Sequence, residues 1–312
     1  MVTDPDEGIR PEAVLAALGY NGSSDVRRVA GGWDTLLWRF HSPDGLDRTL
    51  RVYVLPDRDE VAARELIALR WCQKHGLPAP RVEGACSVHG LPVAVLSWCP
   101  GRPILSVVEK KPWLLWHLSR TFGQMQARLH AVPPPREFLA GAPDSWLYRV
   151  PVEYRGLAEH ARSLAPSVSS FIHMDYHPLN VIADGGGISG VVDWGGAAAG
   201  DPRADLARTH ITLETAPVPP GLLRPLFNVL RSLMIRGWRS GYRDVAGTVP
   251  EYRELKAWAA ATMLAEVERV IGKPGVWGTP DYLRKLRTMI AVWSGQAGGR
   301  RRGPGRPSAL EG

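Results

Sequence analysis

Cysteine is scarce in this chain of 312 residues. The three present, Cys72, Cys86 and Cys99, are odd in number and show no CxxC spacing, so neither a disulfide framework nor a zinc site is indicated and a reducing compartment is expected. Long apolar runs are missing too: nothing approaches the roughly 18 uninterrupted apolar residues of a membrane span. The N-terminus MVTDPDEGIRPEAV lacks the basic-then-apolar profile of a signal peptide. No membrane partner is expected, and the chain reads as a cytoplasmic globular protein. It contains no G-x-x-x-x-G-K-[ST] sequence, which removes the P-loop as a phosphate cradle. The body of the chain also lacks a dense basic face, because the formal charge of +7 comes from arginines spread along the whole length, and nucleic acid is not an expected partner. The one dense basic cluster is GGRRRGPGRPS at 298–308. With no apolar residues to bury, it predicts a disordered tail over 298–312.

What is present is a chain with 45% hydrophobic residues, enough for a real core. In the first hundred residues, short strand-like runs alternate with turns. VRRVAGGWDTLLWRF reads as strand, Gly-Gly turn and strand, DGLDRTLRVYVLP adds a strand, and LPVAVLSW at 91–98 another. Between them, DRDEVAARELIALRWCQKHG carries Val61, Leu66, Leu69 and Cys72 at helical spacing, with Gly76 as a stop. This half is expected to be a small antiparallel sheet with one helix. From about residue 102 the pattern turns to long helical segments, interrupted by the strand-like stretches FIHMD, NVIAD and ISGVVDW as a group. The fold predicted from pattern is α+β and two-lobed, with a β lobe over 1–98, a connector at 96–101 and a mainly α lobe over 99–297.

The chemistry concentrates in HMDYHPLN at 173–180. For phosphoryl transfer to a hydroxyl, Asp175 supplies a carboxylate that orients the hydroxyl and accepts its proton. Asn180 and Asp193 supply the hard oxygen ligands that a magnesium ion needs when it bridges nucleotide phosphates. Pro178 stiffens the loop between base and metal ligand. His173-x-Asp175-x-x-x-x-Asn180 matches the kinase pattern H-x-D-x-x-x-x-N, and Asp193-Trp194-Gly195 falls where the Asp-Phe-Gly magnesium motif belongs. Two other readings compete. Asp and Asn often cap a surface turn, and His173, Asp175 and His177, if on a strand, would share one face as in a metal-dependent hydrolase.

The stretch HMDYHPLNVIADGGGISGVVDWGGAAAGDPRADLA resembles the signature of the aminoglycoside phosphotransferase and choline kinase-like family, small-molecule kinases with a protein-kinase-like fold. The resemblance implies Asp175 as catalytic base, Asn180 and Asp193 on magnesium, His173 as a buttress of the loop, and Asp201 and Asp205 as supports; His177 receives no chemistry. It places VAGGWDT at 29–35, with Gly31 and Gly32, over the phosphates of ATP or GTP. LSWCPG at 96–101, with Leu96 and Trp98, becomes the hinge that receives adenine. Glu65 is implied as the carboxylate partner of the third-strand lysine, but this sequence reads TLRVYV there, so the phosphate-binding cation is Arg51. An arginine fork grips phosphate and carboxylate together but differs from lysine in geometry. The Gly turn also falls short of G-x-G-x-x-G, and these two departures motivate the alternative of a non-catalytic nucleotide-binding protein on the same fold. The acceptor site is implied at about 205–290, where Arg and Lys outnumber Asp and Glu. A polycation meets an unfavourable average field there, so a neutral, singly charged or anionic hydroxyl compound fits at least as well.

Overall fold

The computed structural model describes residues 9–29, 35–140, 144–165, 169–218, 221–271 and 279–297. Helix α1 (Pro11–Ala17) opens on a proline, at a position where no intrahelical donor is needed. Strands β1 (Ser24–Arg28), β2 (Thr35–His41) and β3 (Asp47–Tyr53) lead to helix α2 (Arg58–Lys74), and β4 (Val82–Val88) and β5 (Leu91–Ser97) follow. The five strands form one antiparallel sheet in the order β1-β2-β3-β5-β4.

Period-two alternation gives this sheet two unlike faces. Leu36, Trp38 and Phe40 of β2 pack with Leu50, Val52, Val93 and Val95 under Val14 and Leu15 of α1. The other face carries Leu37, Arg51 and Ala94 in register. There Tyr53, Ala94 and Leu96 merge with the core of the second lobe. An arginine on that inward face must find carboxylates, because an unpaired buried charge is costly.

The expectation of one helix in this lobe is corrected: α1 is a second, and β4 is an additional strand. β4 lies at the sheet edge with no fully buried side chain, so VEGACSV lacks the apolar alternation that marks β2 and β3.

The second lobe contains β6 (Arg102–Pro103), α3 (Ile104–Lys110), α4 (Leu115–His130), α5 (Arg155–Ser163), β7 (Ser170–Ile172), β8 (Val181–Asp184), β9 (Gly187–Val191), β10 (Ala198–Gly200), α6 (Pro202–Thr215), α7 (Arg224–Ala246), α8 (Lys256–Val270) and α9 (Pro280–Ala297). Its short strands form two antiparallel sheets, β6-β8-β9 and β7-β10. The lobes join through Gly101, which has φ of 105° and lies so close to the Ala183 carbonyl that a side chain would collide with it. The architecture is thus α+β and two-lobed, with the antiparallel sheet in one lobe and most helices in the other. Among the described residues no helix is long and apolar enough to cross a membrane.

FIHMD is only partly a strand. β7 ends at Ile172, and Met174 takes φ of 69°, so the chain turns before Asp175. His173, Asp175 and His177 therefore do not alternate along a strand, which removes the geometric basis of the hydrolase reading. Among the described residues no group of three His, Cys, Asp or Glu side chains is placed to hold a metal by itself.

Candidate active site

The loop after β7 is held from inside the helical lobe. Met174 sits in the left-handed region, an uncommon and strained conformation for a residue with a side chain. Both of its peptide groups are gripped by α6: its N–H donates to Asp205 Oδ1 at 2.6 Å, and its carbonyl accepts from Arg208 Nε. Asp205 is fully buried, and its Oδ2 also accepts from Gln126 Nε2 and His130 Nε2 at 3.0 Å each. Tyr242 faces the other His130 nitrogen at 3.0 Å, and Trp238 Nε1 donates to Gln126 Oε1 at 2.7 Å. Asp205 of α6 thus ties the loop to α4, and Gln126 and His130 of α4 carry the link on to α7.

His173 is completely buried, with Nε2 3.1 Å from the Val192 carbonyl, while Nδ1 accepts the Asp175 N–H at 3.2 Å. This pattern requires the neutral Nε2–H tautomer, and burial, opposed by Asp205 and Asp175, holds the imidazole below its ordinary pKa. His173 therefore buttresses the loop by joining it to the chain just before Asp193.

Asp175 presents its carboxylate at the loop surface. Asn180 Nδ2 donates to Asp175 Oδ2 at 2.9 Å and to the Asp175 carbonyl at 3.0 Å, and His177 Nε2 lies 3.4 Å from the same Oδ2. Desolvation raises the Asp175 pKa, but His177 beside it, then Arg208 and His173, outweigh that effect and hold the carboxyl well below its usual range. Asp175 is thus held in its ionised, proton-accepting form at neutral pH. His177, to which the sequence assigned no chemistry, is its direct neighbour; the signal was a His two residues downstream in a Pro-stiffened turn. Because both N–H contacts of Asn180 go to Asp175, Asn180 Oδ1 receives no donor from the described residues and stays available to a cation. The Val192 N–H donates to the Asn180 carbonyl at 2.9 Å, which sets Asp193 beside it.

Asp193, the next residue, also has a positive φ, 65°. Its Oδ1 lies 2.9 Å from Arg51 Nη2, while Arg51 Nε lies 2.9 Å from Glu65 Oε2. One guanidinium on β3 thus spans the α2 carboxylate and the predicted metal ligand, and its Nη1 has no partner among the described residues. Tyr53, two residues along the same face, donates its hydroxyl to Glu65 Oε2 at 2.7 Å. Burial, helped by Asp193, pushes the Glu65 carboxyl up against the pull of Arg51. Trp194 stacks on Phe171 with centroids 5.2 Å apart, and Gly195 sits where a side chain would press on Val61 of α2. Sequence reasoning missed Tyr53 and the role of Arg208; the period-two spacing from Arg51 was the available signal for Tyr53.

At the connector, Leu96 is buried in the shared core. Trp98 donates its N–H to the Asp47 carbonyl at 3.2 Å, and its ring lies under the Arg39 guanidinium at 4.7 Å. The Cys99 N–H has no partner among the described residues, and burial pushes the Cys99 thiol up to about 11, which makes it an inert packing group. Gly31, Gly32 and the basic tail lie outside the described residues.

Residues 25–258 match the profile of the phosphotransferase enzyme family. The chain belongs to that family. Several solved structures share the fold. A thermostable mutant of the aminoglycoside phosphotransferase APH(4)-Ia, in ternary complex with ADP and hygromycin B, is similar at 16% identity over 93% of this chain and 99% of its own, with a TM-score of 0.64. The amicoumacin kinase hAmiN, in complex with AMP-PNP, Ca2+ and Ami, is similar at 12% identity over 92% of this chain and 94% of its own, with a TM-score of 0.62. Aminoglycoside phosphotransferase APH(3'')-Id from Streptomyces rimosus shows 18% identity over 79% of this chain and 93% of its own, with a TM-score of 0.52. At these identities the likeness is one of fold. No curated protein sequence matches the chain.

Proposed function

We propose that this protein is a kinase that uses magnesium and a nucleoside triphosphate, ATP or GTP, to phosphorylate a hydroxyl of a small molecule in the cytoplasm. The observation that carries this reading is the convergence of three groups. An ionised Asp175, an Asn180 oxygen without a donor and the Asp193 carboxylate come from one loop and the turn after β9, opposite the Arg51–Glu65 pair of the other lobe. The donor set suits a hard cation, because Asn180 and Asp193 offer neutral and anionic oxygen and no sulfur or nitrogen. Magnesium held there supplies charge neutralisation for the phosphates.

In the proposed reaction the acceptor hydroxyl lies against Asp175, which orients it in line with the γ-phosphorus and takes its proton as the new O–P bond forms. The bond from the γ-phosphorus to the bridging oxygen breaks, and the nucleoside diphosphate leaves with that electron pair. Arg51 offers its free Nη1 to a phosphate oxygen while its other nitrogens stay on Glu65 and Asp193. The connector at 96–101, with Leu96 and Trp98, is where the nucleotide base would be received. Such catalysis is positioning and charge compensation, since a loose phosphoryl transition state asks little covalent help.

Two substitutions test the roles separately. Asp175→Asn is expected to abolish phosphoryl transfer, read by mass spectrometry over a panel of hydroxylated acceptors, while magnesium-nucleotide affinity stays within a few-fold. Turnover equal to wild type would sink the base assignment. Asp193→Asn is expected to weaken magnesium-nucleotide binding itself in calorimetry, and unchanged affinity would remove Asp193 from the metal site.

A further inference from the structure

A second cleft carries charge that the fold does not use. It has a volume of about 580 Å³ and lies between α3, the turn after it, the first turns of α4 and the β8–β9 turn. It meets the connector only at Gly101; Leu96, Trp98, Arg51, Asp175, Asn180 and Asp193 do not line it, so it is separate from the site described above. Val107 and Leu114, half-buried against the core, give it an apolar floor. Arg102, Lys110 and Lys111 stand around that floor, and Asp184 is the one acid that lines it.

The walls of the cleft are fixed before anything enters. His117 of α4 lies 2.9 Å from the Gly186 carbonyl in the β8–β9 turn, the Ser189 hydroxyl of β9 donates to the Pro100 carbonyl, and the Leu105 N–H of α3 donates to the Pro178 carbonyl at 3.3 Å. A preformed cleft loses little conformational freedom on binding. Its cations, by contrast, are uncommitted: Arg102, Lys110 and Lys111 are exposed and make no hydrogen bond or ion pair among the described residues. Trp113, on the same cleft, is 73% exposed, an unusual state for so large an apolar side chain.

The spacing of these groups says what shape of anion they fit. Arg102 precedes α3, and Lys110 and Lys111 close it, so the length of a seven-residue helix, about 10 Å, separates the two ends of positive charge. One small anion reaches one end only. An extended peptide sets alternate side chains on one face, and its residues i and i+4 stand about 13 Å apart, with i+2 between them. Carboxylates at the outer two positions would meet Arg102 at one end and the lysines at the other, with an apolar side chain lowered onto Val107 and Leu114. A nucleic-acid strand fits less well, because it has no aliphatic group for the floor and its phosphates would face Asp184.

We infer that this cleft docks an extended acidic segment of a partner protein, with an acidic, an apolar and a second acidic residue at alternate positions. Trp113 covers the apolar residue from the side. The docking is independent of the phosphoryl-transfer reading.

The test uses the full chain and a short fluorescently labelled peptide with glutamate, leucine and glutamate at alternate positions and serine elsewhere, followed by polarisation. Saturable binding is expected, weakened by salt and lost when the glutamates become glutamine or the leucine becomes serine. The double variant Lys110→Glu, Lys111→Glu is expected to bind the glutamate peptide roughly 10-fold more weakly and to prefer a lysine version of it. Misfolding would not produce that reversal, and Trp113→Ala is expected to weaken the glutamate peptide without reversing the preference. No saturable binding of the glutamate peptide, equal binding of its glutamine version, or a preference unmoved in the double variant each overturns the inference. Tighter binding of an oligothymidylate than of the peptide also overturns it, and assigns the cleft to nucleic acid.

Discussion

Met174 and its clamp show how much of the site lives in single side chains. A strained turn persists only where its surroundings over-determine it, and here Asp205 and Arg208 hold its two peptide groups. Arg208→Met is expected to cost about 2–3 kcal/mol of stability in denaturant unfolding, by orphaning the Met174 carbonyl and a charge partner. It is also expected to lower kcat with little change in nucleotide affinity. His177 acts on the same loop electrostatically, and His177→Gln is expected to raise the Asp175 pKa and move the acid limb of the kcat profile to higher pH. An acid limb that stays in place would show that His177 does not set Asp175. At this scale the sequence was legible where close spacing groups polar residues: the structure joins Asn180 to Asp175 and ties His173 to the chain just before Asp193. It was silent where partners are far apart in the chain: nothing near Arg208 announces its contact with Met174, and nothing near Arg51 announces that its fork spans Glu65 and Asp193.

Among the elements, the α4–α7 pair holds the frame of the second lobe. A side chain at Gly123 would collide with the Trp238 carbonyl, and one at Gly241 with the Arg120 carbonyl, so these helices touch backbone to backbone at small residues. Gly241→Ala is expected to destabilise the protein by about 1–3 kcal/mol through overpacking, although alanine is the better helix former. A melting temperature equal to wild type would mean that the helices separate without cost. The helices themselves were readable from their apolar spacing, and so were β2, β3 and β5. Edge strand β4 was not, because a strand with little to bury leaves no periodic trace, and the short α1 shows its apolar face only once Leu36 and Phe40 are there to receive it.

Over the whole molecule, buried histidines tie stability to pH. His173 and His210 are both held below the ordinary value of 6.5, by burial in each case, so the unfolded chain binds more protons than the fold as pH drops below about 6.5. Their contribution is complete above that pH and is lost on acidification. His177 runs the other way: desolvation lowers its pKa, but Asp175 outweighs it, so its contribution grows as pH falls toward 6.5. Below pH 6.5 the His177 contribution is complete, and the loss at His173 and His210 predicts a melting temperature that declines from pH 6.5 to 5.5. A flat profile would mean that His173 takes up a proton without disturbing the fold.

The sequence by itself determined the lobe pattern, the order of the phosphoryl-transfer motifs and the absence of a P-loop or disulfide framework, because each is written in neighbouring residues through periodicity or loop spacing. Only the tertiary structure decided which charges meet. Arg51 joins two carboxylates from different parts of the chain, and Asp205 gathers three donors from the loop and α4. The physical reason is that electrostatic pairing depends on distance through space and on burial, and neither is a property of position along the chain.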